Sequence, residues 1–85
     1  MSIERFIWTE HALDRCRRRW IDRADMERAV YRGHDERKHN DGEADWLVQG
    51  LAADGRRFAL VYDHPVGHDH SAALIVSVWI LRQES

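Results

Sequence analysis

From Thr9 the apolar positions recur at helical spacing. Taken at about 100° per residue, Ala12, Leu13, Cys16 and Trp20 fall in one arc, and His11, Arg15, Arg18 and Arg19 fall in the adjoining one. The core-facing stripe is therefore separate from a histidine and arginine stripe. Thr9 is a good N-cap, and Trp8 can staple to Leu13 one turn in, so the pattern predicts a helix over about Glu10–Arg19. Ile21-Asp22 forms the joint, with Asp22 as the next N-cap and Ile21 able to staple to Met26. A second helix follows over about Arg23–Arg32, with Met26, Ala29, Val30 and Gly33 on one stripe and Gly33 as its stop.

Either side of the helices the period is that of strands. Glu4 to Trp8 reads as a short first strand with Phe6 and Trp8 on one face. Asp35 to His39 is polar and reads as a short edge strand, followed by an Asp41-Gly42 turn. Asp45 to Ala52 alternates weakly. Asp54-Gly55 is a hairpin signal between it and Arg56 to Tyr62, where Phe58, Leu60 and Tyr62 alternate with Ala59 and Val61. Asp63 to Ser71 is a polar loop. Ala73 to Leu81 is nearly all apolar and is expected to be a central strand buried on both faces. The order β-α-α-β-β-β-β predicts an α+β fold, with two helices packed on one face of a curved, mainly antiparallel sheet.

Composition narrows the class. Eighty-five residues make a single domain, 1–85, and the mix of 44% hydrophobic and 33% charged residues is that of a folded chain. Trp8, Trp46, Trp79 and Phe58 stand where a small core needs bulk, and core packing is their expected role. No apolar run approaches the roughly 18 residues of a membrane span, and Met1 to Arg5 is not expected to open a signal peptide, because no apolar stretch follows a basic one. The single Cys16 forms no internal disulfide, which suits a reducing cytoplasm, and its place in the core arc predicts a buried, inert thiol.

The net charge of −2 does not announce a nucleic-acid binder, but the charge is uneven. Residues 1–38 carry a net +2 and residues 39–85 a net −4, and Lys38 is the one lysine among 13 basic residues. Arginine is favoured where planar, bidentate contact to phosphate or carboxylate matters, and it is also what a high-GC genome supplies.

The run Thr9-x-His11-Ala12-x-x-Arg15-x-x-x-Arg19-x-Ile21, followed by a capped second helix, resembles a small uncharacterised bacterial family marked by a Thr-x-His-Ala-x-x-Arg start. The Gly55-Arg56-Arg57 hairpin and the apolar last strand are similar too. That family resembles the RelE and BrnT toxins of toxin–antitoxin pairs and, more widely, barnase-like ribonucleases. The resemblance implies a RelE-like single domain, metal-independent RNA cleavage and a cytoplasmic toxin. It also implies an antitoxin protein as partner and an RNA substrate, free or ribosome-associated. The chain departs from the family pattern at Trp20, where a small residue, often Gly, is expected before Ile21, and in the histidine-rich loop 64–70.

RNA cleavage of that type needs a base for the ribose 2′-OH, cations for the crowded phosphorane and an acid for the leaving 5′-oxygen, but no cofactor. His11 is the candidate acid or base, Arg15 one turn on is a phosphate clamp, Arg19 extends the row, and Arg57 beside the hairpin offers a second clamp. Ser77 and His39 are weaker candidates. Against this stand a helix-start imidazole bonded to a neighbouring carboxylate or carbonyl, and an arginine face paired with Asp14 and Asp22 at helical spacing. The Asp63–His70 segment has imidazoles and carboxylates but no rigid ligand pattern, and reads as a polar loop rather than a metal site. Two function classes follow: a ribonuclease toxin, or a non-catalytic RelE-like module that binds a protein or nucleic acid.

Overall fold

A computed structural model describes residues 3–82. Its elements run β1 (Arg5–Trp8), α1 (Glu10–Arg19), α2 (Arg23–Gly33), a 3-10 turn (His34–Glu36), β2 (Lys38–His39), β3 (Trp46–Leu51), β4 (Arg57–Asp63) and β5 (Ala72–Ile80). The five strands form one sheet in the order β1-β5-β4-β3-β2. Only the β1–β5 pair is parallel, so the sheet is mixed and mainly antiparallel.

Thr9 joins strand to helix in two ways. Its side-chain oxygen accepts the Ala12 amide at 3.0 Å and caps α1, while its hydroxyl donates to the Val76 carbonyl at 3.0 Å. The cap thus also pins α1 beside β5. Asp22 holds the N-cap position of α2, but its side chain makes no capping bond; its carbonyl accepts from the amides of Asp25 and Met26.

Both helices feed one core. Ala12 and Cys16 of α1 and Met26, Ala29 and Val30 of α2 pack with Val48, Phe58, Leu60, Tyr62, Ile75 and Val78, so the two helices cover the same face of the sheet. Gly50 shows how close α2 lies to β3. A Cβ there would come within 2.6 Å of the Ala29 Cβ and 2.8 Å of the Phe58 ring, so no side chain fits.

Four expectations change. Trp20 leaves the core arc: α1 ends at Arg19, Trp20 turns left-handed at φ 58°, and its side chain is 84% exposed. A 100° projection has no meaning beyond the last helical residue, and Ile21 enters the core instead. The Trp20 amide bonds to the Arg17 carbonyl and the Ile21 amide to that of Cys16, which is the Schellman closure that glycine favours at this position.

The segment expected as an edge strand over 35–39 begins as the 3-10 turn, and only Lys38 and His39 pair with β3. β5 is interior, but it is not the strand buried on both faces. Leu74, Val76, Ser77 and Trp79 are half-buried, whereas all of Phe58 to Tyr62 in β4 is buried. The helices shield one face only, and β4, at the middle of the strand order, carries small Ala59 and Val61 on the other. Trp79 lies on that second face, opposite Ala59 and away from the core cluster, whereas Trp8 and Trp46 pack against the core and Phe58 lies within it.

Candidate functional site

β1 pairs only with residues 72–75 of β5, and α1 packs beside the strand beyond them. His11, at the second helical position, and Arg15, one turn later, line a cleft of about 360 Å³ together with Ser77 and Trp79 of β5. Val61 and Ser77 are paired across β4 and β5, so they share the face opposite Phe58 and Leu60. The far wall is the loop between β2 and β3, which brings Asn40 and Glu43 to the same cleft. That loop is braced by the Asn40 side-chain amide on the Ala44 carbonyl at 3.0 Å, and by the Asp45 amide on the Asp63 carboxylate at 2.9 Å. His11 and Glu43 are exposed and Arg15 is half-buried. None of the three makes a side-chain hydrogen bond or ion pair among the described residues, so the cleft holds an unengaged imidazole, carboxylate and guanidinium.

Of the residues singled out from the sequence, the fold brings together His11, Arg15 and Ser77. Arg19 is the last residue of α1, and it does not line this cleft. Its carbonyl instead accepts from Arg56 at 2.6 Å. Arg57 opens β4 and lines a different depression with Arg28 and Arg32 of α2. His39 stacks edge-on against Trp46 at 5.6 Å between ring centres and faces Asp41 at 3.6 Å. Arg18 pairs with Asp14 at 3.0 Å on the solvated side of α1, as a helical-spacing ion pair. Glu43 and Asn40 carry no signal in the sequence pattern. They lie in a polar turn whose local sequence signals only a loop, and their meeting with His11 across about thirty residues is a product of topology.

A second polar cluster forms where the histidine-rich loop meets the 3-10 turn. His64 is 4% exposed, and its Nε2 lies 2.7 Å from the His70 carbonyl. That contact assigns the ring proton to Nε2 and leaves Nδ1 to accept from Arg37 Nη1 at 3.2 Å. Arg37 also reaches the His34 ring at 2.8 Å, and its guanidinium lies 3.9 Å from the centre of the Trp46 ring. Tyr62 Oη closes the cluster at 3.0 Å from His34 Nδ1. Burial, reinforced by the charge of Arg37, lowers the pKa of His34, and burial raises that of Tyr62. The arrangement ties the loop and the 3-10 turn to the end of β4, which is a structural task. Asp69 fastens the loop's other end through the Ser71 hydroxyl and amide and through Arg5, and these contacts lower its pKa. Among the described residues no group of three His, Cys, Asp or Glu is placed to hold a metal ion.

Cys16 is buried, its thiol donates to the Ile21 carbonyl at 3.0 Å, and burial raises its pKa. Both effects oppose thiolate formation. No helix among the described residues is long and apolar enough to cross a membrane.

Comparison with known protein families gives a match over most of the chain. A family described as a domain of unknown function (DUF4258) covers residues 8–80, from the end of β1 to the end of β5. No curated protein and no solved structure matches the chain.

Proposed function

Because the chain belongs to the DUF4258 family, whose description names no activity, we propose from its own geometry that it is a small RelE-like ribonuclease of toxin type, cleaving RNA by general acid–base catalysis in the α1–β5 cleft. The observation that carries this reading is the meeting of His11, Arg15 and Glu43 in one cleft. These side chains supply the three chemical needs of metal-independent RNA cleavage: two groups that exchange protons and a cation.

In the proposed step one of His11 and Glu43 takes the proton of a ribose 2′-OH. The 2′-oxygen attacks phosphorus, the P–O5′ bond breaks, and the other group returns a proton to the leaving 5′-oxygen. The products are a 2′,3′-cyclic phosphate and a free 5′-hydroxyl. Arg15 holds the non-bridging oxygens, where its planar fork suits a phosphate better than an ammonium does. Ser77, which lines the same cleft, supplies a hydroxyl for a further hydrogen bond to the RNA in this reading, while the Asn40 amide braces the cleft wall through the Ala44 carbonyl. Half-exposed Trp79 on the cleft wall offers a base an aromatic face. Arg19 and Arg57 fall outside this machinery and serve, at most, the approach of a polyanion. A toxin of this kind implies a separate antitoxin protein and a cytoplasmic site of action.

The test is cleavage of a fluorogenic oligoribonucleotide and of ribosome-bound message by purified protein in EDTA, beside growth arrest on induced expression. Cleavage and arrest that both disappear in His11→Ala support the reading. Intact RNA under all these conditions, with no arrest, removes it and leaves the non-catalytic binding module.

A further inference from the structure

We propose that the outer edge of β3, between Gln49 and Leu51, receives an extended acidic segment of a partner protein as an added strand. The argument begins with hydrogen-bond parity. In an antiparallel ladder alternate residues direct both main-chain groups to the same neighbour. Ala52 bonds toward β4 through Arg56, so the even-numbered residues of β3 face β4. The odd-numbered ones face outward. Asp45 is met there by Asn40, and Leu47 is paired with Lys38 of β2. Ala53, just past the strand, donates outward to the Asp25 carboxylate at 3.1 Å.

Between these filled positions lie Gln49 and Leu51. β2 is only two residues long and the chain enters it from the 3-10 turn, so no strand reaches them. Their outward N–H and C=O groups find no protein partner among the described residues. Native sheets usually blunt such an edge with a lysine, a proline or a bulge, and Gln49-Gly50-Leu51 has none. Leu51 is moreover 59% exposed.

The surroundings specify the occupant. A depression of about 540 Å³ runs along this edge beside α2, and a second of about 280 Å³ continues it past Gln49 toward β2. Arg28 and Arg32 come to it from α2, Arg57 from β4 and Lys38 from β2. Of the two acids there, Asp25 is occupied by Arg28 and by the Ala53 amide, which leaves Glu36. Alternating main-chain donors and acceptors are complementary to a polypeptide backbone, not to a phosphodiester. The surplus of cations selects acidic side chains on that backbone. A second copy of this chain is disfavoured as occupant, because edge-to-edge pairing would bring both sets of arginines together. The surface shares no residue with the α1–β5 cleft, so the proposal stands whether or not that cleft cuts RNA.

The experiment titrates the full chain with a fluorescein-labelled heptapeptide of alternating Glu and Val, and with its alternating Lys and Val counterpart. Fluorescence polarisation reads binding and amide hydrogen exchange reads the edge. The acidic peptide is expected to bind, to slow exchange at the Gln49 and Leu51 amides, and to lose affinity when alternate peptide nitrogens are methylated. The double variant Arg32→Glu, Arg57→Glu, confirmed folded by its thermal melt, is expected to bind at least about tenfold more weakly. Arg17→Glu on α1 serves as the control with unchanged binding. The proposal is overturned by an absence of binding, by equal binding of the lysine peptide, by unchanged affinity in the double variant, or by binding without protection at Gln49 and Leu51. A concentration-dependent dimer that protects these amides without peptide assigns the edge to a second copy and also overturns it.

Discussion

The guanidinium of Arg56 donates to the carbonyl of Trp20 at 2.8 Å, across 36 residues of sequence. It also holds the Arg19 carbonyl, and Asp54 in the same hairpin orients it at 2.6 Å. The β3–β4 hairpin thereby caps the C-terminus of α1 at the residue whose backbone is left-handed. A non-glycine residue there costs about 1 kcal/mol or more, and an 84% exposed Trp20 ring recovers little of it by burial.

Trp20→Gly is therefore expected to raise stability by about 1 kcal/mol, a gain of roughly 4–8 °C in Tm for a chain of this size. Trp20→Ala keeps the left-handed strain and is expected to leave Tm nearly unchanged. Thermal melts of both variants check this; a lower Tm for the glycine variant would mean that the ring packs more firmly than its exposure indicates.

Gly50→Ala is expected to destabilise the fold by about 1–3 kcal/mol, because the new methyl meets Ala29 on α2 and the Phe58 ring at 2.6 and 2.8 Å. Neither neighbour is the end of a flexible side chain, so α2 must move from β3. Denaturant unfolding measures the loss. Gly55→Ala, at φ 88° with open space around it, is expected to cost a similar amount through backbone strain alone.

Stability is expected to fall on mild acidification through His34. Burial and Arg37 hold its folded-state pKa below the ordinary histidine value of about 6.5. The unfolded chain then takes up the proton first. The stabilisation is complete above that ordinary value and is lost as pH falls from it through the lower folded-state value. Urea midpoints measured from pH 8 to pH 5 are expected to drop in wild type and to drop less in His34→Gln. An identical pH profile in the variant would assign the acid sensitivity elsewhere.

Native Cys16 is expected to react with a thiol reagent such as a maleimide only as fast as the protein opens. Its proton is bonded to Ile21 and its thiolate is disfavoured by burial. Mass spectrometry after timed labelling, with and without denaturant, checks this; labelling as fast in the folded as in the unfolded protein would contradict the packing of α1.

If RNA is the substrate, His11→Ala and Glu43→Gln are each expected to reduce cleavage by about 10²–10⁴, the usual range for loss of an acid or a base. Arg15→Lys is expected to reduce it as well, because a point charge cannot grip two phosphate oxygens at once. Arg19→Ala, outside the cleft, is expected to have a much smaller effect. Initial rates on one oligoribonucleotide compare all four; a loss with Arg19→Ala equal to that with Arg15→Lys would move the phosphate site to the end of α1.

The local order of this fold was legible in the residues. Thr9, the Ile21-Asp22 joint, the Asp54-Gly55 turn and the two spacings name the helices and every strand but β2 to within a residue or two, because caps, turns and amphipathic periods are short-range physics. His11 and Arg15 were legible as a pair for the same reason: i and i+4 on a capped helix share a face. What lies opposite that face was not. Glu43, Asn40 and Trp79 come to the cleft because β5 runs beside α1 and the β2–β3 loop folds back over β4, and these long-range pairings leave no mark on local spacing. The separation of Arg57 from His11 and the unpaired edge at Gln49 and Leu51 are likewise properties of strand order. A chain specifies its elements through neighbours in sequence, but a site and a free edge exist only once the sheet has chosen which strands are neighbours in space.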